Sequence, residues 1–162
     1  MNATFGIELR HPLPGDLIGN RLTIAAIGTA FEAAYGWRLM SGSQVVAQGH
    51  FQAGSMGLLE AFVHQRSLTF QHLGAAVFQF FGDDPSGQHP PGQDLVEVPV
   101  ILIPGMQGYR VRQVVGGDTL GKIAQDYGSR VDHIVVANGI PNPDLIHVNQ
   151  ILRVPIPADA QT

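Results

Sequence analysis

The chain has 162 residues, of which 44% are hydrophobic and 14% are charged, so it can bury a core in one medium domain or two small ones. It contains no cysteine, which excludes disulfides, thiolate metal sites and a cysteine nucleophile. The net charge is −4 and the only lysine is Lys122, so neither nucleic-acid binding nor attachment to an anionic membrane is expected.

The N-terminal stretch "MNATFGIELRHPLPG" lacks the basic and apolar regions of a secretory leader. No apolar run reaches membrane-spanning length, so membrane insertion is not expected. Three interpretations of this start stay open. The protein remains in the cytoplasm, leaves the cell by another route, or has lost a leader.

Residues 5–103 alternate short apolar segments with turns, which predicts about seven strands of an antiparallel sandwich. The segments are "FGIEL", "RLTIAAIGTA", "AYGWRLM", "VVAQGHF", "SLTF", "AAVFQFF" and "LVEVPVILI". Tyr35, Trp37 and Leu39 alternate along the third segment, which is typical of a strand with one buried face. A long loop, "GDDPSGQHPPGQD", precedes the last strand. We therefore predict an all-β sandwich over residues 1–103.

Most aromatic residues of these strands are expected in the sandwich core, with an exposed aromatic binding face as the alternative. The residues concerned are Trp37, Phe51, Phe62, Phe70, Phe78, Phe80 and Phe81. Phe80 and Phe81 are adjacent and must point to opposite faces of a strand, so one of them is expected to be exposed or at an interface.

The segment "PGMQG", residues 104–108, is predicted to be a linker, because the apolar period changes after it. Two amphipathic helices follow, with residues at the i, i+3, i+4, i+7 spacing. These are Leu120, Ile123, Ala124 and Tyr127 in the first helix and Val131, Ile134, Val135 and Asn138 in the second. The stretch "NQILRVP" returns to strand. Residues 109–157 are therefore predicted to form a strand–helix–helix–strand domain, and residues 158–162 a frayed tail.

This C-terminal segment resembles the LysM family over about residues 109–156. The resemblance rests on dispersed residues with the correct spacing: "GDTL" at 117–120, "IA" at 123–124, "YG" at 127–128, "NGI" at 138–140, "PDLI" at 143–146, Gln150, and "LRVP" at 152–155. It implies a βααβ fold, with both helices on one face of a two-stranded antiparallel sheet. It also implies binding to glycans that contain N-acetylglucosamine, mainly peptidoglycan or chitin.

Two positions depart from the family pattern. Arg112 stands where the family usually has an aromatic residue, which is expected to alter the packing of the first strand. Val148 and Asn149 replace a frequent Pro-Gly before the last strand, which is expected to reshape the rim of the binding groove.

Residues 7–103 are similar to the Gmad2 type of bacterial immunoglobulin-like domain, known from spore-germination and cell-envelope proteins. The similarity is carried by "HPLPGDLIGNRLTIAAIGTAFE", "WRLM" with "GSQVVAQG", and the closing "DLVEVPVIL". It implies an immunoglobulin-like sandwich for the N-terminal domain and assigns no ligand to it.

The loop before the first helix can be interpreted as a helix start or as part of a binding site. With the LysM resemblance, both interpretations hold together, because the cap shapes the loop that binds. Asp118 or Thr119 is a good N-cap for the helix, and Gly116 and Gly117 permit a tight strand-to-helix turn. The same glycines expose backbone groups that an acetamido group can meet with one acceptor and one donor. This loop is expected to form one wall of the groove.

The other wall is expected in "GIPNPDLI". Ile140, Leu145 and Ile146 can offer apolar surface to a sugar ring, although each of them could instead complete the small core. The two prolines of this loop reduce the ordering cost of binding. The candidate glycan-binding residues are Gly117, Asp118, Thr119, Leu120, Ile140, Pro141, Asn142, Pro143, Asp144, Leu145 and Ile146.

No catalytic, metal or cofactor site is predicted. The seven histidines are scattered without a His-x-x-x-His pair. Ser55 directly follows Gly54, so the Gly-x-Ser-x-Gly motif of a nucleophile elbow is missing. Asp83 and Asp84 are adjacent on an extended segment and point apart, which does not suit an acid and base pair.

The sequence therefore predicts a non-catalytic protein whose LysM groove binds peptidoglycan or chitin, with the sandwich as spacer or partner surface. Because one groove is small, a homo-oligomer or a multivalent partner is expected. The resemblance places such a protein in the cell envelope or outside the cell. The alternative is a structural subunit of a tail or injection machine, and a third is an accessory domain of an envelope hydrolase.

Overall fold

The computed structural model describes residues 6–55, 57–83 and 93–158. The chain folds as two compact units, one from residues 1–16, 22–67 and 75–100, the other from residues 17–21, 68–74 and 101–162. Asp84, most of the predicted long loop and the tail beyond residue 158 lie outside the described residues. Within the described part of the chain, no helix has the length and apolar character needed to span a membrane.

The first unit consists of two β-sheets. One sheet has the strand order β1-β3-β6, and the other contains the order β8-β7-β4-β5. The strands are β1 (Gly6–His11), β3 (Arg21–Thr29), β4 (Ala34–Ser41), β5 (Gln44–Gln52), β6 (Glu60–Ser67), β7 (Gly74–Gly82) and β8 (Gln93–Leu102). β4 is antiparallel to both β5 and β7, so that Trp37 lies opposite Gly49 on one side and Phe80 on the other.

The core of the first unit lies between the inner faces of these sheets. The alternating residues Tyr35, Trp37 and Leu39 are at most 1% exposed, as their spacing predicts. The Tyr35 ring lies 4.8 Å from the ring of Phe62 in the opposite sheet, measured between centroids. His64 stacks on Phe51 at 3.9 Å. Aromatic pairs of this kind add to the hydrophobic stabilisation of a sandwich.

Two predictions for the first unit are wrong. The strand predicted at "SLTF" is instead β6, which ends at Ser67. Because β6 carries mostly polar residues and buries little of its surface, its apolar pattern is too weak to recognise in the sequence. Neither Phe80 nor Phe81 is exposed, since Phe81 is 5% exposed and the guanidinium of Arg38 covers its ring on the outer face.

The second unit contains the predicted strand–helix–helix–strand order. Its elements are β9 (Met106–Gln113), α1 (Leu120–Tyr127), α2 (Val131–Asn138) and β10 (Ile151–Pro157). β9 and β10 are antiparallel, and both helices contribute to one core with β10. The buried core residues are Val114, Leu120, Ile123, Ala124, Ile134, Ile140, Leu152 and Val154.

The ends of both helices follow from local sequence. Thr119 is the N-cap of α1, where its hydroxyl accepts the Lys122 N–H at 3.1 Å. Gly128 and Gly139 end α1 and α2 in the left-handed conformation, with φ of 64° and 60°. Glycine adopts this conformation without the steric penalty of a Cβ, so both helices stop where the sequence places a glycine.

The second unit extends beyond the predicted boundary. β9 begins at Met106, so part of the predicted linker 104–108 lies in a strand. A two-residue strand, β2 (Leu17–Ile18), pairs in parallel with Ile101 and Leu102 at the end of β8. Ile103, Met106 and Ala137 of α2 form a second apolar cluster with contributions from Leu17, Leu73, Ile101 and Val136. These early and middle segments therefore pack on α2.

Candidate functional site

Two loops leave the same end of the β9–β10 sheet. The Val114 N–H donates to the Gln150 carbonyl at 2.9 Å, and the Asn149 N–H donates to the Val114 carbonyl at 2.8 Å. The first loop, residues 115–119, therefore begins beside the point where the second loop, residues 140–149, ends. The two segments that the sequence predicts as groove walls therefore belong to loops that meet at this end of the sheet.

The backbone of the first loop is exposed at its two glycines. The Asp118 N–H donates to the Val115 carbonyl at 3.1 Å, which closes a turn. Gly117 has φ of 87° within that turn, a conformation that side chains with a Cβ rarely adopt. A Cβ placed at Gly116 or Gly117 would meet no atom within 4 Å. The space in front of both glycines is free for another molecule.

Asp118 shapes this loop from within. Its carboxylate accepts the Arg112 Nη2 at 2.9 and 3.1 Å and the Val115 N–H at 2.9 Å, and its side chain is 2% exposed. The Val115 N–H, and then the Arg112 guanidinium, hold the pKa of Asp118 below its usual range. The carboxylate of Asp118, predicted as a ligand contact or a helix cap, thus accepts its hydrogen bonds from groups within the protein. Arg112 supplies this ion pair at the position where the family usually has an aromatic residue.

Two further candidate residues are part of the core. Leu120 is 3% exposed and Ile140 is 7% exposed, and both belong to the apolar cluster beneath the loops. Ile140 therefore takes the alternative role predicted for it, in the core, and leaves little side-chain surface for a sugar ring. In a unit with so small a core, the helices and strands require these side chains for packing.

The second loop exposes the remaining candidates. Leu145 is 62% exposed, and Ile146 is half-buried against the core. Asn142 forms a turn, because its side-chain oxygen accepts the Asp144 N–H and its carbonyl accepts the Leu145 N–H, both at 3.0 Å. The exposed residues of the prediction are Gly117, Thr119, Pro141, Asn142, Pro143, Asp144 and Leu145.

The candidate set omitted two exposed apolar residues, Val115 at 52% and Val148 at 59% exposure. Both flank the point where the loops meet, and the signal in the sequence is an apolar residue inside a turn-rich segment. Asn149 has φ of 73° and its side-chain oxygen accepts the Gln113 Nε2 at 3.1 Å. Asparagine tolerates this left-handed conformation, and the Gln150 N–H donates to the His147 carbonyl at 3.0 Å, so the chain turns here before β10.

The comparisons with known families follow this division of the chain. The family described as the immunoglobulin-like domain of bacterial spore germination, Gmad2, matches residues 6–89, which is more than half of the chain. The chain belongs to this family. The LysM domain matches residues 113–155, downstream of the Gmad2 match. Both resemblances and the predicted fold class, a Gmad2 immunoglobulin-like sandwich followed by a LysM domain, are confirmed.

Among curated proteins, the secreted LysM effector ECP6 of Passalora fulva is 42% identical over 60 residues, which are 36% of this chain and 25% of that protein. The chain thus spans about a quarter of that relative's length. Among solved structures, the CARDB domain of PF1109 from Pyrococcus furiosus aligns with a TM-score of 0.37 and 14% identity over 61% of this chain and 94% of that chain. A similarity this low does not inform the fold.

LysM domains bind chitin-type or peptidoglycan-type glycans, so the match indicates a carbohydrate-binding role for the second unit. The matched LysM and Gmad2 domains are both non-catalytic binding modules.

Proposed function

We propose that this protein is a non-catalytic binding protein whose second unit binds glycans containing N-acetylglucosamine between the first and second loops. The observation that carries the proposal is the free space in front of Gly116 and Gly117, on a loop that meets the second loop beside Val114, with Val115, Leu145 and Val148 exposed on these two loops. Peptidoglycan and chitin are the two expected ligands, and the cell envelope or the extracellular space is the expected location.

The chemistry of an N-acetylglucosamine residue fits these two loops. Its acetamido group carries one acceptor and one donor, which can pair with backbone N–H and carbonyl groups at an open glycine turn. Its ring C–H face and methyl group are apolar and can contact the exposed valine and leucine side chains. Pro141 and Pro143 restrict the second loop before binding, which lowers the entropy lost on binding.

The LysM match marks a single groove in this chain, so tight retention on a cell wall is expected to need several copies acting together. We therefore propose that the protein acts as an oligomer or on a multivalent partner. Strong retention by a monomer in light scattering would contradict this part of the proposal.

Co-sedimentation with purified peptidoglycan, chitin and cellulose tests the glycan proposal. Gly116→Trp fills the free space, and Leu145→Asp places a charge on the second loop, while neither changes a buried residue. Val63→Asp is the matched control, because Val63 is 69% exposed on β6 in the first unit. We expect the wild type and the control to pellet with peptidoglycan or chitin but not with cellulose, and both loop variants to stay in solution.

Two results would contradict the proposal. One is a folded wild type that stays in solution with every glycan. The other is a pair of loop variants that pellet as well as the control. Cellulose binding equal to chitin binding would show that the acetamido group is not recognised.

A second candidate function is assembly with other proteins, and one observation favours it. Tyr109, Val111 and Ile151 are 48%, 65% and 59% exposed, and the register of β9 and β10 places them on the sheet face away from the helices. An apolar face of this kind is typical of a protein contact. Size-exclusion chromatography tests it, with a defined oligomer expected for the wild type and a monomer for Val111→Asp. A wild-type monomer would refute assembly between copies of this chain.

A further inference from the structure

We infer that the first unit carries a second, separate binding site, which accepts the carboxylate of a short peptide or an amino acid. The site is a pocket of about 190 Å³ on the outer face of the β7-β4-β5 part of the sheet. Its polar lining consists of Arg38, Gln48, His50 and Asp83. This inference does not depend on the proposed glycan binding.

The pocket is built on a flat aromatic floor. Gly36 and Arg38 alternate with the buried residues of β4 and therefore lie on the outer face of the sheet. Phe81 lies opposite Gly36 on β7, and a Cβ at Gly36 would stand 2.4 Å from its ring. Only glycine at this position lets the ring lie against the strand.

The Arg38 guanidinium lies over this floor, with its Cζ 4.9 Å from the centroid of the Phe81 ring. Stacking on a ring restricts the guanidinium while its N–H donors remain available in the plane of the group. Among the described residues, no carboxylate forms an ion pair with Arg38. A half-buried, oriented guanidinium that has no ion-pair partner in the described part of the chain is well suited to bind a carboxylate.

The remaining lining residues indicate which other chemical groups the ligand carries. Asp83 lies 3.6 Å from His50, measured from its Oδ2 to the imidazole Nδ1, and its side chain is 24% exposed. Its carboxylate can accept an N–H from the ligand, while the Gln48 amide can both donate and accept. A larger pocket of about 440 Å³, lined partly by Ala34 and Phe51, shares His50 and Asp83 with the first. A carboxylate with an adjacent amide or amine and a small apolar side chain therefore matches this site.

Trp37 is 1% exposed and its ring belongs to the core, so occupancy is measured by isothermal titration calorimetry, which needs no reporter side chain. The probes are N-acetyl-alanyl-alanine, its C-terminal amide, and free alanine, each titrated into the full-length protein. We expect a saturable heat of binding with the acetylated dipeptide and none with its amide. A response to free alanine as well would extend the ligand class to amino acids, whereas its absence would restrict the site to peptides.

Arg38→Gln keeps a planar polar side chain but removes the charge, and it is expected to weaken dipeptide binding by about tenfold or more. The matched control is Arg66→Gln, since Arg66 is exposed on β6 in the same unit and does not line the pocket. Equal responses to the dipeptide and its amide in the wild type would overturn the inference without any mutation. So would a lack of response to all three probes, or unchanged binding by a folded Arg38→Gln protein.

Discussion

Asn138 joins the end of α2 to β10, and its replacement by alanine is expected to destabilise the second unit. The side-chain Nδ2 donates to the carbonyls of Ile134 and Arg153, both at 2.7 Å, and the Oδ1 accepts the Arg153 N–H at 2.8 Å. A net contribution of about 1 kcal/mol for each hydrogen bond gives a loss of about 3 kcal/mol in the free energy of unfolding. Asn138→Asp is expected to do similar damage, because it replaces the donating group by an oxygen that faces two carbonyls.

Hydrogen exchange measured by mass spectrometry is the suitable assay. Trp37 lies in the first unit, so its fluorescence does not report on α2 and β10. A loss of about 3 kcal/mol corresponds to roughly a hundredfold faster exchange of protected amides in these two elements. Asn142→Ala is the control, because its exposed side chain accepts only the N–H of Asp144. Equal exchange rates in the Asn138→Ala and Asn142→Ala proteins would refute this reasoning.

Three further predictions concern close packing and pH. Gly19→Ala places a Cβ 2.0 Å from the carbonyl oxygen of Met106. Urea unfolding should therefore show that the free energy of unfolding of the second unit falls by about 3 kcal/mol or more, and a fall below about 1 kcal/mol would contradict the clash. The pKa of Asp118 is lowered in the folded state, so its carboxylate stabilises the second unit above the usual carboxylate pKa, and this stabilisation is lost as pH falls through the lowered value. Asp118→Asn should therefore reduce the loss of stability of the second unit at acid pH, measured by circular dichroism as unfolding against pH. An unchanged acid dependence would exclude this role. Burial, and secondly the charge of a neighbouring arginine, lower the pKa of His64, so the first unit should lose stability as pH falls below the usual histidine pKa. The urea midpoint of the first unit, followed by Trp37 fluorescence, should show this pH dependence in the wild type, and His64→Phe should abolish it.

Local sequence determined the regular elements of the second unit. The apolar spacing of α1 and α2 needs only neighbouring residues, and Thr119, Gly128 and Gly139 end the helices through contacts within one turn. The structure places both helices over the residues that the spacing predicts. In the first unit, strict alternation in β4 likewise predicted its buried face.

The tertiary structure alone decided how the candidate groove is built. The sequence does not show that Arg112 reaches Asp118, or that Ile140 lies in the core while Leu145 stays exposed. Nor does it show that Val148 ends up beside the first loop. Each of these facts depends on which strands pair and in which register, as in the Val114 hydrogen bonds to the end of the second loop.

The same reason accounts for the extent of the second unit and for the pocket of the first. The cluster around Met106 and Ala137 unites segments that are far apart in sequence, and its apolar residues are too few in each segment to form a pattern. The Arg38 site needs Gly36 opposite Phe81, a pairing set by the register of β4 and β7. Periodicity reports the surroundings of a residue along its own element, whereas contacts between elements depend on the free energy of packing the whole chain.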